Sequence, residues 1–318
     1  MQSFVRVALV LVPLILAGCK PADVTLALDP GFYPSAVAYD PINDRFFVGS
    51  HAGGTVAIVR RDGHVAASVR PKRAAHSIVQ LGYDARSLRL WVLTPEAVGV
   101  VDIGALPVRR KVVAEVAPGG RFSDLATDGA GQAFVLDAAA GTVVAVEADR
   151  PRSRVVARLP AGEADGSLVL LPDAGTLIVA RGGALWRVET RSGGVEPIAL
   201  GAPLADVSQL VLVASDATAY HVAAFRGRAN EIVTIHLSAD ARRALADAGT
   251  RMRYDAPFRG TFDGREVVVL LGRLRHHPSF GGDGRPNLPP RLASYFPGAA
   301  TAPRLAEALP AAGPALVR

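Results

Sequence analysis

Apolar residues along this chain come in short runs separated by polar turns, and the arrangement recurs. Three stretches show it best: "SAVAYDPINDRFFVGSHAGGTVAIVRRDGHV" from Ser35, "SDLATDGAGQAFVLDAAAGTVVAVEADRPRSRVV" from Ser123, and "SLVLLPDAGTLIVARGGALWRVETRSGGV" from Ser167. Each reads as an apolar strand, a turn of Asp with Gly or Asn, a second apolar strand and a small-residue Gly turn. A third strand, a charged turn and a β-branched fourth strand follow. Four strands joined by three tight turns predict one antiparallel propeller blade.

Weaker copies begin near His76, Ser208 and Arg259. Starts separated by roughly 40 to 50 residues match the periods of propeller repeats. The pattern predicts an all-β fold, a six-bladed β-propeller over residues 19–298. A ring of radial sheets must close its seam, because an open strand edge invites pairing with other chains. Val24-Thr25-Leu26-Ala27-Leu28 alternates like a strand before the first blade, and we expect it to complete the last one. The run from Ser238 to Ala248, "SADARRALADA", has helical composition and is expected to interrupt blade five as an insertion. Residues 299–318 form an Ala- and Pro-rich tail with a short helix expected at Pro303–Leu309. Trp91 and Trp186 fall in strands and are expected to fill the space between blades.

The N-terminus carries a different signal. After Arg6 comes "VALVLVPLILAG", an apolar segment of about a dozen residues, the length of a secretory signal core. It is too short to span a bilayer, which takes roughly 20 apolar residues, and Pro13 interrupts it. Leu16-Ala17-Gly18-Cys19 resembles a bacterial lipobox, in which small residues precede a cysteine that is acylated on sulfur and becomes the new N-terminus. Cys19 is the sole cysteine. The expectation is a signal peptide at residues 1–18 and a lipid anchor at Cys19, placing the protein in the cell envelope. Lys20 is not the aspartate associated with inner-membrane retention, so the outer membrane facing the periplasm is expected. With its one thiol acylated, the mature chain has no disulfide, and packing alone must stabilise it.

Composition agrees with many small strands: half of the 318 residues are hydrophobic, but only 6% are aromatic. The net charge of +6 comes from arginine, since Lys20, Lys72 and Lys111 are the only lysines. These arginines are scattered and not interleaved with aromatics, which argues against a nucleic-acid groove. The chain is expected to be monomeric.

The blade phrases from Ser35 and Ser167 resemble those of the gluconolactonase, regucalcin and strictosidine-synthase-like superfamily of six-bladed propellers. In its lactonase members a divalent metal sits at the top of the central channel, held by a glutamate, two asparagines and an aspartate. The resemblance puts the glutamate place at Ser35, the asparagine places at Ser123 and Gly166, and the aspartate place near Ser208 and Gln209. None of these is a carboxylate, so no intact metal-lactonase site is expected. A shifted site for Ca²⁺, Mn²⁺ or Zn²⁺ would draw on Asp124, Asp165 or Asp206, which otherwise read as turn aspartates.

Loops on one face of a propeller share a binding surface. Polar residues expected there are Ser35 and His51, His76 and Glu96, Asp124 and Asp137, Arg181, Arg226, Asn230 and Arg273. His and Arg in such a ring suit an anionic ligand. His64 and His236 read as structural or solvent-facing, and His276-His277 opens a Gly-rich loop of blade six. There is no HExxH, CxxC, P-loop or GxSxG motif. The reading is a lipid-anchored periplasmic propeller that binds a small molecule or an envelope protein on its top face. The alternatives are a metal-dependent lactonase or ester hydrolase and an envelope-assembly scaffold.

Overall fold

The computed structural model describes residues 23–70, 77–104, 110–115, 119–150, 152–162, 165–251, 259–272, 274–284 and 289–295. The signal segment 1–18, Cys19, His76, Arg273 and the tail 299–318 lie outside the described residues.

Six sheets make up the fold, and their strand order is that of a six-bladed β-propeller. The innermost strands are Pro34–Asp40, Gln80–Asp84, Phe122–Thr127, Gly166–Leu170, Val207–Ser215 and Arg259–Phe262. Blades one to four follow the simple order of four consecutive antiparallel strands. In blade six the N-terminal strand Val24–Thr25 pairs antiparallel with Arg291–Tyr295 as the outermost strand, so the ring closes as expected, over a shorter strand.

Burial explains why each second strand is a continuous apolar run. Six hydrophobic clusters fill the six gaps between blades, and each second strand feeds two of them, because successive side chains point to opposite faces. Phe46 and Val48 face blade six while Phe47 faces blade two. Leu90 and Val92 pack toward blade one, and Trp91 and Leu93 toward blade three. The same division holds for Phe134 and Val135, for Ile178 and Val179, for Ala224 and Phe225, and for Val268 and Val269. Trp91 is fully buried, and Trp186 is partly buried against the cluster between blades three and four.

Blade five departs from the expected insertion. Arg243–Ala246 is its fourth strand, with Leu245 paired to His236. Ser238, Asp240 and the Arg242 and Arg243 amides close the preceding turn through the Ser238 hydroxyl and Asp240 carboxylate. Ala241 and Ala244 are buried in the cluster between blades four and five. Pairing and burial thus override local helix propensity. Two short strands decorate this blade: Ala199–Leu200 runs parallel to its outer edge, and Thr250–Arg251 pairs with Glu231–Ser238. The Gly-rich loop of blade six begins with two 3₁₀ turns, Leu274–His276 and Pro278–Phe280.

The recurring aspartate marks the bottom hairpin of every blade. Asp40, Asp84, Asp128, Asp173, Asp216 and Asp263 each accept two backbone N–H bonds from the following turn. A carboxylate that satisfies turn amides in this way fixes where the innermost strand ends. Asp84 also accepts from the Ser87 hydroxyl and, across the blade boundary, from the Gly131 amide at 3.1 Å.

Asp84→Ala should therefore cost about 2–3 kcal/mol, because four donors lose one buried acceptor. Asp216→Ala, at a more exposed turn with bonds inside its own blade, should cost less. Urea unfolding of the two variants checks the order.

Candidate functional site

Neighbouring innermost strands belong to different sheets and share no ladder bonds. Side chains at the top of the channel connect them instead. The Gln80 amide donates to Asp124 Oδ1 at 2.8 Å, and the Ser167 hydroxyl donates to Asp124 Oδ2. Ser167 Oγ in turn accepts from the Leu210 amide, while Gln209 exchanges two bonds with the Gly260 backbone. Asp124 also accepts from the Leu125 and Leu168 amides and is 1% exposed. Burial pushes its carboxyl above the ordinary carboxylate range, against the opposing pull of the nearby Arg259 charge and the Ser167 and Gln80 bonds. Asp124 is thus a junction of blades two, three and four.

Just above this layer, Arg259 reaches across the axis. Its guanidinium donates to the carbonyls of Val79 at 3.1 Å, Ser123 at 3.3 Å and Ser208. Burial pulls Arg259 down from its ordinary value, and the Asp124 charge opposes that shift. Ser35 Oγ donates to Ile78 O at 2.6 Å, Ser123 Oγ to Gly166 O at 3.3 Å, and Ser208 Oγ to Phe225 O at 3.2 Å.

These residues do not fit a divalent cation. Such an ion wants several free oxygens, preferably anionic. Here the hydroxyls at Ser35, Ser123 and Ser208 are engaged with carbonyls, Gly166 has no side chain, and a guanidinium draws on the Ser123 and Ser208 carbonyls. The alternative aspartates do not assemble either. Asp124 is enclosed by its donors, whereas Asp165 and Asp206 both face Arg228, at 3.8 and 3.5 Å. Among the described residues no three His, Cys, Asp or Glu converge to hold a metal.

The top face carries a cavity of about 570 Å³ over blades three, four and five. Its origin lies in missing side chains. Blade four contributes Gly166 and the turn Gly182-Gly183, with φ of 59° and 78°, a left-handed pair that favours glycine. Gly227 adds a fourth bare position. Val79, Phe122, Leu204, Val207 and Phe280 supply apolar wall, and Arg121 and Arg228 stand at the mouth with Asp165 and Asp206. Phe280 is 52% exposed on the blade-six loop.

Most residues expected to bind ligand are engaged in structure. Arg181 is 7% exposed and donates to the carbonyls of Pro160, Ala138 and Gly162. Arg226 pairs with Glu231 and donates to Ala205 O. Asp137 accepts from the Arg121 and Ala140 amides. Asn230 sits at φ 54° in the turn before the third strand of blade five, and Glu96 is exposed in blade two. His51 lies apart from the cavity floor, in a cluster with His277 and Phe280, its Nε2 3.0 Å from Ser279 Oγ. Arg121, Arg228, Arg259 and Phe280 were not singled out by the sequence. Only Arg259 carried a signal, as the blade-six counterpart of Ser35, Ser123 and Ser208.

A second polar chain crosses blade five near the bottom. Asp247 meets His236 Nε2 at 2.9 Å, and His236 Nδ1 meets His221 Nδ1 at 2.9 Å. His236 is buried, as its structural reading implied. Burial and the His236 charge pull His221 below the ordinary imidazole value, and burial and His277 do the same to His51.

No protein-family model matches the chain, and no curated protein matches it in sequence. Solved structures match in fold. A protein of unknown function from Bacteroides thetaiotaomicron superposes with a TM-score of 0.61 at 11% identity, over 86% of this chain and 72% of that one. An auxiliary nutrient binding protein from the same organism gives 0.59 at 9% identity, over 86% and 75%. A catalytically inactive virginiamycin B lyase from Staphylococcus aureus, with quinupristin, gives 0.57 at 10% identity, over 78% and 94%. At such identities the likeness concerns architecture alone.

Asp124→Ala should lower stability by about 3–5 kcal/mol, because its donors and the Arg259 charge lose their partner. Adding Arg259→Met should recover part of that loss in chemical unfolding. For the histidines, a folded value below 6.5 means that the folded state takes up protons later than the unfolded chain. Their contribution is complete above pH 6.5 and is lost as pH falls through the lowered folded values. The melting temperature should therefore drop on acidification below pH 6.5, and His51→Gln/His221→Gln should flatten that slope.

Proposed function

We propose that this chain is a lipid-anchored envelope protein, held at the periplasmic side of the outer membrane through Cys19, whose top-face cavity binds a small molecule without metal-lactonase chemistry. The observation that carries the reading is the cavity itself. Its volume lies in the range of small-molecule sites, roughly 300–1,000 Å³, and its lining mixes apolar Val79, Phe122, Leu204, Val207 and Phe280 with charged Arg121, Asp165, Asp206, Arg228 and Arg259. At the channel top a guanidinium occupies the ground that a lactonase metal would need, which favours binding over hydrolysis. The architecture is compatible with binding or lyase chemistry elsewhere, as the nutrient binding protein and virginiamycin B lyase illustrate, so the side chains must decide.

A scaffold role has one observation in its favour. Val65, Val112 and Val155 are exposed on the outermost strands of three consecutive blades, an arrangement that could meet a partner protein.

The reading predicts that Cys19→Ser moves the protein from the membrane to the soluble fraction. It also predicts that a small-molecule periplasmic extract raises the melting temperature of the wild type but not of Ala205→Trp, which fills the cavity from an exposed wall position. Membrane retention of Cys19→Ser after a salt wash, or an equal shift in Ala205→Trp, would count against it.

A further inference from the structure

We infer that the ligand of this cavity is a small organic acid, with its carboxylate between Arg121 and Arg228 and its apolar body against Phe280 and Phe122. The inference rests on the cavity being a binding site and adds the chemistry of what it takes.

Two arginines at the mouth are built in the same way. The Arg121 backbone N–H is held by Asp137 Oδ1 at 2.9 Å, and the Arg228 backbone N–H by Asp206 Oδ2 at 2.6 Å. In each case a carboxylate fixes the backbone from which the long side chain departs. Asp137 is 3% exposed and braced by the Ala140 amide, so the anchor under Arg121 is firm. Asp206 adopts φ 64°, a left-handed conformation uncommon outside glycine and asparagine or aspartate, and this turns its carboxylate toward residue 228.

The guanidinium groups themselves are loosely held. Arg228 is 81% exposed, and its contacts to Asp206 and Asp165 are 3.5 and 3.8 Å, longer than charge-assisted hydrogen bonds of about 2.7–2.9 Å. Pairs of this kind on the surface contribute little and exchange readily. Arg121 is exposed and forms no ion pair among the described residues. A guanidinium presents a planar fork of donors that matches a carboxylate in bidentate fashion. An incoming carboxylate can therefore give Arg228 the short paired bonds that Asp165 and Asp206 do not.

The rest of the wall selects what is attached to that carboxylate. Phe280 lines the cavity from blade six and is half exposed, Val79, Leu204 and Val207 add aliphatic surface, and Phe122, 3% exposed and packed in the core between blades two and three, borders the cavity. Gly182, Gly183 and Gly227 leave backbone as the remaining floor. A fully polar ligand would leave these apolar side chains unused, whereas a neutral one would leave Arg121 without an anion and Arg228 with only its long contacts to Asp165 and Asp206.

Isothermal titration of the full chain in detergent tests the inference with phenylacetate and its neutral counterpart phenylacetamide. Phenylacetate should bind at least tenfold more tightly than phenylacetamide. Arg228→Gln and Arg121→Gln should each weaken phenylacetate at least fivefold and leave phenylacetamide unchanged. Asp165→Asn, which frees Arg228 from one competitor, should tighten phenylacetate. Equal binding of acid and amide, or indifference to both arginine substitutions, overturns the organic-acid inference while leaving a binding cavity. No binding of either compound overturns it too, and the extract experiment with Ala205→Trp, which assumes no ligand charge, then decides the cavity reading separately.

Discussion

Polar groups at the propeller axis must be satisfied without a ladder, and much of the molecule follows from that constraint. Innermost strands lie side by side but belong to separate sheets, so nothing in the β-pattern joins them. Gln80, Asp124, Ser167 and Gln209 supply the missing links, and Arg259 gathers three carbonyls from blades two, three and five. A buried polar network of this kind is stabilising only when nearly every member has its partner. The residues at the channel top are therefore fixed by architecture, and the binding chemistry proposed for this protein is left to the rim.

The same displacement explains what could be read from the chain. The fold was legible because it is written in repeats: apolar second strands that serve two interfaces, and an aspartate at each bottom hairpin. Closure by Val24–Thr25 was legible from alternation alone. The run from Ser238 to Ala248 was misleading, because Ala and Arg favour helices locally while Leu245 and Ala244 answer to a neighbouring strand. At the site, Arg181, Arg226 and Asp137 looked like ligand-facing groups by residue type and loop position. Their engagement with backbone carbonyls, a glutamate and turn amides is a property of folded geometry that no local pattern reveals.

The cavity also shows why its residues were hard to foresee. It exists where blade four lacks side chains, so its strongest determinants are Gly166, Gly182 and Gly183. Glycines read as turn residues in any β-rich chain. An added Cβ at Gly166 would meet the Ala180 carbonyl at 2.7 Å, so packing alone already accounts for that glycine, and the opening above it is a by-product available to function. Arg121 and Arg228, two unremarkable loop arginines in sequence, acquire significance only because this opening lies between them.

The closing strand also sets an orientation. Innermost strands run from the cavity face to the far face, and blade six alternates direction until Val24–Thr25 runs back toward the cavity side as its outermost member. The chain therefore joins the ring from the face opposite the cavity. Only four residues lie between Cys19 and Val24, five backbone steps with a reach of at most about 18 Å when fully extended. With lipid on Cys19, as proposed, the propeller would stand close to the bilayer on its hairpin face, with the arginine-lined mouth turned outward to solutes diffusing past.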